Sequence, residues 1–273
     1  MFMREPPLSA APLLEIRELS LQFGGLRAID QVSTALRERE LLALIGPNGA
    51  GKTSMLNCIN GYYRPTSGTL LYDGREVAGL GPHRLAALGV SRVFQMVELV
   101  PQATVLENVM VGRHIHTRAG WLSSMMFWGT AEREQIRHRE VAEEILELLE
   151  LEPYRSRRTG DLAYGTQKLV GVARALAMEP RLLLLDEPSS GMSRQEKEDL
   201  ARFLQRIRHE KPVAMIWVEH DTQMVQDLAD RVVVLDYGRK IFDGPPDQAF
   251  QDPGVVEAYV GRPILTPAIE VAP

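Results

Sequence analysis

The spacing of apolar residues changes rhythm twice along the chain. From Leu13 to about Tyr72, short apolar runs alternate with turns. The run ELLALIG (Glu40–Gly46) is almost wholly apolar and of strand length, as expected of a buried strand, and KTSMLNCIN (Lys52–Asn60) behind it reads as a helix. GTLLYDGREV predicts a hairpin turning at Asp73-Gly74. PHRLAALG predicts a short helix, with Pro82 in its first turn and Gly89 at its end, and VSRVF predicts a strand. From about 96 to 178 the pattern is helical. Thr104 and Glu107 stand in capping-box spacing. The run AEREQIRHREVAEEILELLEL is amphipathic, with Ile136, Val141, Ile145, Leu148 and Leu149 assigned to one face, and a further helix is expected from Gln167 to Met178.

After that, strands and helices alternate. RLLLLD, VAMIWVE, RVVVLD and RKIFDG read as strands. A helix capped by Ser193 and Glu196 runs to His209, and TQMVQDLA forms another. This alternation predicts an α/β fold with a mostly parallel core sheet and helices on both faces. The folded body spans 13–261, with a helical insert at about 96–178. The proline-containing start, 1–12, and the tail, 262–273, read as flexible ends.

Composition narrows the function classes. The net charge is −5, so the chain has no electrostatic footprint for nucleic acid. Its one cysteine, Cys58, excludes an intrachain disulfide and suits a reducing compartment; the residue is expected to be a small buried hydrophobe. No apolar run approaches the roughly 18–20 residues of a membrane span. The N-terminus, with one Arg, prolines and acidic residues, makes a poor signal peptide, so a cytoplasmic location is expected, any work at a membrane being held there by other chains. One segment, Gly120–Gly129, packs two Trp, two Met and a Phe into ten residues; it is too short to span and either packs within the helical insert or touches a partner chain or lipid headgroups.

Gly46-Pro47-Asn48-Gly49-Ala50-Gly51-Lys52-Thr53 fits G-x-x-x-x-G-K-[ST], followed by Ser54, and lies between a predicted strand and a predicted helix. That context marks a P-loop. Its glycines turn backbone N–H groups toward phosphate oxygens, Lys52 supplies a cation at the β/γ-phosphates, and the Thr53 hydroxyl suits Mg²⁺. The apolar run Leu182–Leu185 ends in Asp186 and Glu187. Asp186 is placed to hold a Mg²⁺-bound water, and Glu187 to orient or deprotonate an attacking water. His220 and Gln95 also follow predicted strands, and Phe23 is a candidate for stacking on a base or packing in the core. Leu162-Ala163-Tyr164-Gly165-Thr166 (LAYGT) precedes a helix as an anion site would, yet it has no basic side chain before Lys168.

The order of these features resembles the nucleotide-binding domain of ABC transporters over about Leu14 to Gly261. That resemblance implies a P-loop NTPase with an N-terminal antiparallel β subdomain and an inserted helical subdomain. It implies ATP and Mg²⁺ as ligands, with Gln95 joining Thr53 and Asp186 at the metal, and Gln95, Glu187 and His220 at the reacting phosphate. LAYGT stands where the family carries L-S-G-G-Q, a signature that binds the γ-phosphate held by another subunit's P-loop. It is thus half a site, and Ala163, Tyr164 and Gly165 would act on a partner's ATP. FGGLRAIDQVS, GPNGAGKTS, TVLENVMVGRH, WLSSMMFW and VVEAYVG further resemble the larger ATPase of branched-chain amino-acid importers. That likeness implies a second ATPase, two permeases and a periplasmic binding protein as partners at the inner face of a bacterial membrane. Related systems carry urea, amides or aromatic acids. Two positions depart from the family pattern: Ala163 replaces the signature Ser, and Ser193 replaces the Asp of the S-A-L-D loop, where it still serves as a helix cap. Soluble ABC ATPases of DNA repair or translation usually carry two such domains or a long coiled coil, and a switch GTPase needs N-K-x-D, which is absent.

Overall fold

The computed structural model describes residues 11–95, 98–117 and 130–260. The expectations for residues 1–10, for the Trp- and Met-rich segment of residues 120–129 and for the tail from residue 261 lie outside the described residues.

Two sheets organise the chain. The first has the order β2 (Leu26–Leu36), β1 (Leu14–Phe23), β4 (Ser67–Tyr72), β5 (Arg75–Glu76), with every pair antiparallel. The β4–β5 hairpin turns at Asp73 and Gly74, whose φ values of 51° and 72° match the mirror-image turn that a right-twisted ribbon needs. The second has the order β10 (Arg239–Gly244), β9 (Arg231–Asp236), β3 (Leu41–Ile45), β8 (Ala214–Val218), β7 (Leu182–Asp186), β6 (Val90–Val93). It is parallel from β9 to β6, and β10 returns antiparallel on β9. The apolar runs of β3, β7 and β8 are buried at every position. Successive leucines of β7 enter different cores, Leu183 and Leu185 on one face and Leu182 and Leu184 on the other, so both faces are covered.

The helices are α1 (Lys52–Ile59), α2 (Pro82–Ala87), α3 (Val105–Gly112), α4 (Thr130–Leu148), α5 (Tyr164–Leu176), α6 (Arg194–Glu210), α7 (Thr222–Leu228), α8 (Pro246–Ala249) and α9 (Pro253–Val260). Both predicted capping boxes form, Thr104 with Glu107 on α3 and Ser193 with Glu196 on α6. Two expectations need correction. Helix α5 starts at Tyr164, not Gln167, so the end of LAYGT lies inside its first turn. On α4, Ile136 is exposed, and the buried face runs through His138, Ala142, Ile145 and Leu146, with Leu149 buried just past its end. Ile136 precedes Ile145 by nine residues, which at about 100° per residue places it on the opposite side of the helix.

Candidate functional site

Strand order brings the motifs together. Neighbouring parallel strands β3, β8, β7 and β6 end at one sheet edge, and directly after them come Gly46, His220, Glu187 and Gln95. The pairing of Val93 with Leu185 sets Gln95 level with Glu187. The carboxyl edge of such a sheet is where α/β folds place ligands.

In the P-loop, Gly46 and Gly51 have φ values of 145° and 104°. A Cβ on Gly46 would lie 2.1 Å from the Leu235 carbonyl oxygen, and one on Gly51 would lie 2.5 Å from that of Ala28, so neither position admits a side chain. Helix α1 opens at Gly51 with no side-chain cap and no acidic residue in its first turn, leaving its first amides for an anion. Lys52 is buried, and its Nζ donates to the carbonyls of Gly46 at 2.7 Å and Pro47 at 2.9 Å. Burial pulls this ammonium below the usual lysine value, while the charges of Glu187 and Asp186 oppose that shift. Asn48, Gly49 and Thr53 are exposed around it, with Ser54 partly and Ala50 fully buried.

Glu187 is held from two sides. Gln95 Nε2 donates to Oε2 at 2.8 Å, and His220 Nε2 lies 2.7 Å from Oε1. A carboxylate only accepts, so the imidazole proton of this contact sits on Nε2. Glu187 also has a φ of 49°, the left-handed region that side chains other than glycine rarely adopt and that clusters at functional positions. Beside it, Asp186 Oδ2 accepts from Arg92 Nη2 at 2.6 Å, with both side chains almost fully buried. The other arm of Arg92 donates to Asn57 Oδ1 on α1, and its guanidinium lies 4.8 Å from the Phe94 ring centre. One arginine therefore ties the P-loop helix to the acidic strand end.

The oxygens Thr53 Oγ1, Gln95 Oε1 and Asp186 Oδ1 carry no hydrogen bond among the described residues. They are the hard donors that Mg²⁺ takes alongside phosphates. No cluster of three or more His, Cys, Asp or Glu suited to a metal occurs among the described residues.

LAYGT stands apart from this edge group. Ala163 is the N-cap of α5 and offers no side-chain bond, and no acidic residue belongs to the first turn. Lys168 turns inward: its Nζ donates to the carbonyls of Ser190 at 2.6 Å and Glu187 at 3.3 Å, and lies 5.3 Å from the Tyr164 ring centre. A Cβ on Gly191 would meet Tyr164 Cε1 at 3.1 Å, so the bulky residue in the signature leans on a glycine of the following loop. Phe23 is at the surface, edge-on to Tyr63 at 5.0 Å, and does not join the core.

The contacts made by Arg92, Asn57, Lys168 and Gly191 escaped sequence reasoning. A signal for Arg92 existed, a charge inside the apolar strand VSRVF. Its partner stands 94 residues away and is reached only through the pairing of β6 with β7.

Comparisons agree with this geometry. The ABC transporter family pattern matches residues 29–190. The high-affinity branched-chain amino acid transport ATP-binding protein BraF of Pseudomonas aeruginosa is 38% identical over 251 residues, covering 92% of this chain and 98% of that protein. Its counterpart LivG of Escherichia coli K12 is 36% identical over the same shares. Among solved structures, an ATP-binding cassette of an ABC transporter in its ADP conformation superposes with a TM-score of 0.80 at 27% identity, over 92% of this chain and 100% of that one. A dimeric cassette in a post-hydrolysis state with ADP and phosphate gives 0.70 at 25% identity, over 85% of this chain and 98% of that one. A P-loop, a doubly held glutamate and this fold, matched along nearly the whole length of such relatives, place the chain in the ABC transporter family as an ATP-binding subunit.

Proposed function

We propose that this chain hydrolyses ATP while paired head-to-tail with a second nucleotide-binding subunit, a paralogue or a copy of itself. The cycle would energise import of branched-chain amino acids, or a related small polar solute, through two separate permeases fed by a periplasmic binding protein. The chain would work at the cytoplasmic face of a bacterial inner membrane. No helix among the described residues is long and apolar enough to cross a membrane, so the permeases would supply the path. The cargo class is supported by the branched-chain amino-acid relatives.

The observation that carries the reading is the Glu187 carboxylate clamped between Gln95 and His220 beside the P-loop. In this reading the amides of Gly49, Ala50 and Gly51 and the ends of Thr53 and Ser54 receive phosphate oxygens, with Gly46 and Asn48 shaping the loop and Phe23 flanking the base. Lys52 leaves its carbonyl partners for the β/γ-phosphates. Thr53, Gln95 and Asp186 would hold Mg²⁺, which supplies charge neutralisation at the phosphate oxygens when bound. Glu187 orients or deprotonates the attacking water, and His220 fixes the carboxylate and reaches the γ-phosphate. The body at 13–261 carries a helical subdomain at about 96–178 that presents Ala163, Tyr164 and Gly165 to the partner's ATP. Closing on ATP and reopening after hydrolysis would move the permeases between two states.

The test is ATPase activity of the reconstituted complex with permeases and binding protein, measured against a panel of solutes. Stimulation by leucine, isoleucine or valine supports the cargo. Stimulation only by urea, amides or aromatic acids reassigns it, and full activity of the chain without permeases at any solute level removes the transport reading.

A further inference from the structure

The first turn of α5 already has an anion on it, and the anion comes from this chain. The carboxyl of Glu196, on the first turn of α6, lies over Gly165. A Cβ built on Gly165 would sit 2.1 Å from Oε1, 2.5 Å from Cδ and 3.0 Å from Cγ of Glu196. The other oxygen, Oε2, accepts from the Ser193 amide at 2.8 Å, and the Ser193 hydroxyl accepts from the Glu196 amide at 3.4 Å. The carboxyl is held below the usual carboxylate range by the Ser193 amide first, then by the Ser193 hydroxyl, with the Gly165 amide adding to them.

Capping alone does not require this placement. A capping box is complete with Ser193 and Glu196, as Thr104 and Glu107 show on α3. The Glu196 side chain does more, spanning from its own helix to the open end of another. That end lacks a side-chain cap, because Ala163 has no hydroxyl, and it lacks an acid of its own. Its first amides are therefore open to an acceptor from elsewhere in the chain, and a carboxylate is the group that the positive end of a helix attracts.

We propose that Glu196 is the internal anion of the signature, holding the Gly165 end of α5 until the γ-phosphate of the partner's ATP displaces it. This rests on the reading of LAYGT as a phosphate site acting in trans. Two negative groups cannot share one helix end cheaply, so the carboxylate competes with the γ-phosphate and raises the nucleotide concentration needed for pairing. The contact also links the signature to the loop that follows Glu187, through the same stretch that Lys168 grips at Ser190.

The test uses the full chain carrying Glu187→Gln, alone and mixed with its ATPase partner. Sedimentation over an ATP titration in Mg²⁺ gives the concentration for half-maximal pairing. Glu196→Gln keeps an oxygen for the Ser193 amide and removes the charge. It should lower that concentration by about two- to five-fold, the range for one charge at a helix N-terminus, with melting changed by no more than a few degrees. Ser193→Ala opens the cap and leaves the carboxylate; it should lower the melting temperature without lowering the ATP requirement. An unchanged or raised ATP requirement in Glu196→Gln overturns the proposal, as does an equal fall in Ser193→Ala. If the Glu187→Gln parent fails to pair at any ATP concentration with either partner, the trans reading of LAYGT fails, and this inference with it.

Discussion

His220 meets Glu187 at 2.7 Å, Nε2 to Oε1, although each stands beyond the end of a different strand. The contact exists because β8 lies beside β7 in parallel, with Val218 level with Asp186. Gln95 closes the opposite side from β6. In the proposed mechanism the glutamate is thus aimed before nucleotide arrives, which would leave little reorganisation for the reacting complex.

Glu187→Gln should therefore separate binding from chemistry. Glutamine keeps the size but is not a base, and loss of a positioned base costs roughly 10²–10⁴-fold in rate. ATP affinity should be retained and the ATP-bound pair should accumulate. Single-turnover hydrolysis in the assembled complex checks this, and a rate within twofold of the parent would remove Glu187 from the base role.

Lys52→Ala should abolish nucleotide binding. The ammonium is already inside the loop on the Gly46 and Pro47 carbonyls, so it is the cation nearest to any phosphate that enters. A ligand at a hundred times its Kd stabilises a protein by ~2.7 kcal/mol. The parent should show that gain in a melting curve with MgATP, and the variant should show none. A normal ATP-dependent shift in Lys52→Ala would disprove the phosphate role.

Much of the site was legible because its parts are short and contiguous. Gly46–Thr53 and Leu182–Glu187 each hold a strand end and its chemistry within one string. The pairs that complete them were not legible. Arg92 with Asp186 depends on which strands are neighbours, and Glu196 with Gly165 depends on how α6 folds back on α5. Helix faces were intermediate: α4 was recognised as amphipathic, but assigning Ile136 to its buried face overlooked half a turn of phase. The start of α5 was placed late because Tyr164 and Gly165 are poor helix formers; docking on Gly191 and Lys168 overrides their propensity.

Arg92→Met should destabilise the chain strongly. Removing one member of a buried ion pair leaves an uncompensated charge and typically costs about 3–5 kcal/mol. Here the stranded group would be Asp186. The double variant Arg92→Met with Asp186→Leu should recover much of that loss, since neither charge is then buried. Denaturant melts of the four-member cycle measure the coupling, and purely additive effects would show that the pair contributes nothing.

Cys58 should stay inert in the folded chain. It is buried on α1, and burial pushes its thiol up to about 12, so thiolate is scarce at neutral pH. Labelling by a thiol reagent at pH 8 should follow the unfolding rate and speed up in denaturant. Rapid stoichiometric labelling of the native chain would contradict the packing behind the P-loop.

Ala163→Ser should act on two properties at once. Ala163 is the N-cap of α5 with φ −59° and ψ 149°, and it makes no cap bond. A serine there would accept from a first-turn amide, worth ~0.5–2 kcal/mol of stability. Its hydrogen would remain free to donate to the partner's γ-phosphate, because a hydroxyl both donates and accepts. A hydrogen bond to a charged group is worth ~1.5–3 kcal/mol. If this bond strengthens in the transition state, hydrolysis at the partner's P-loop should rise by roughly ten-fold or more. The site on this chain's Lys52 should change little when the partner is a different protein. Single-turnover hydrolysis with one P-loop lysine removed at a time separates the two sites, and a melting curve reads the cap. A higher melting temperature with no change at either site would leave serine as a cap only. A gain at the Lys52 site in a heteromeric pair would overturn the trans assignment of LAYGT.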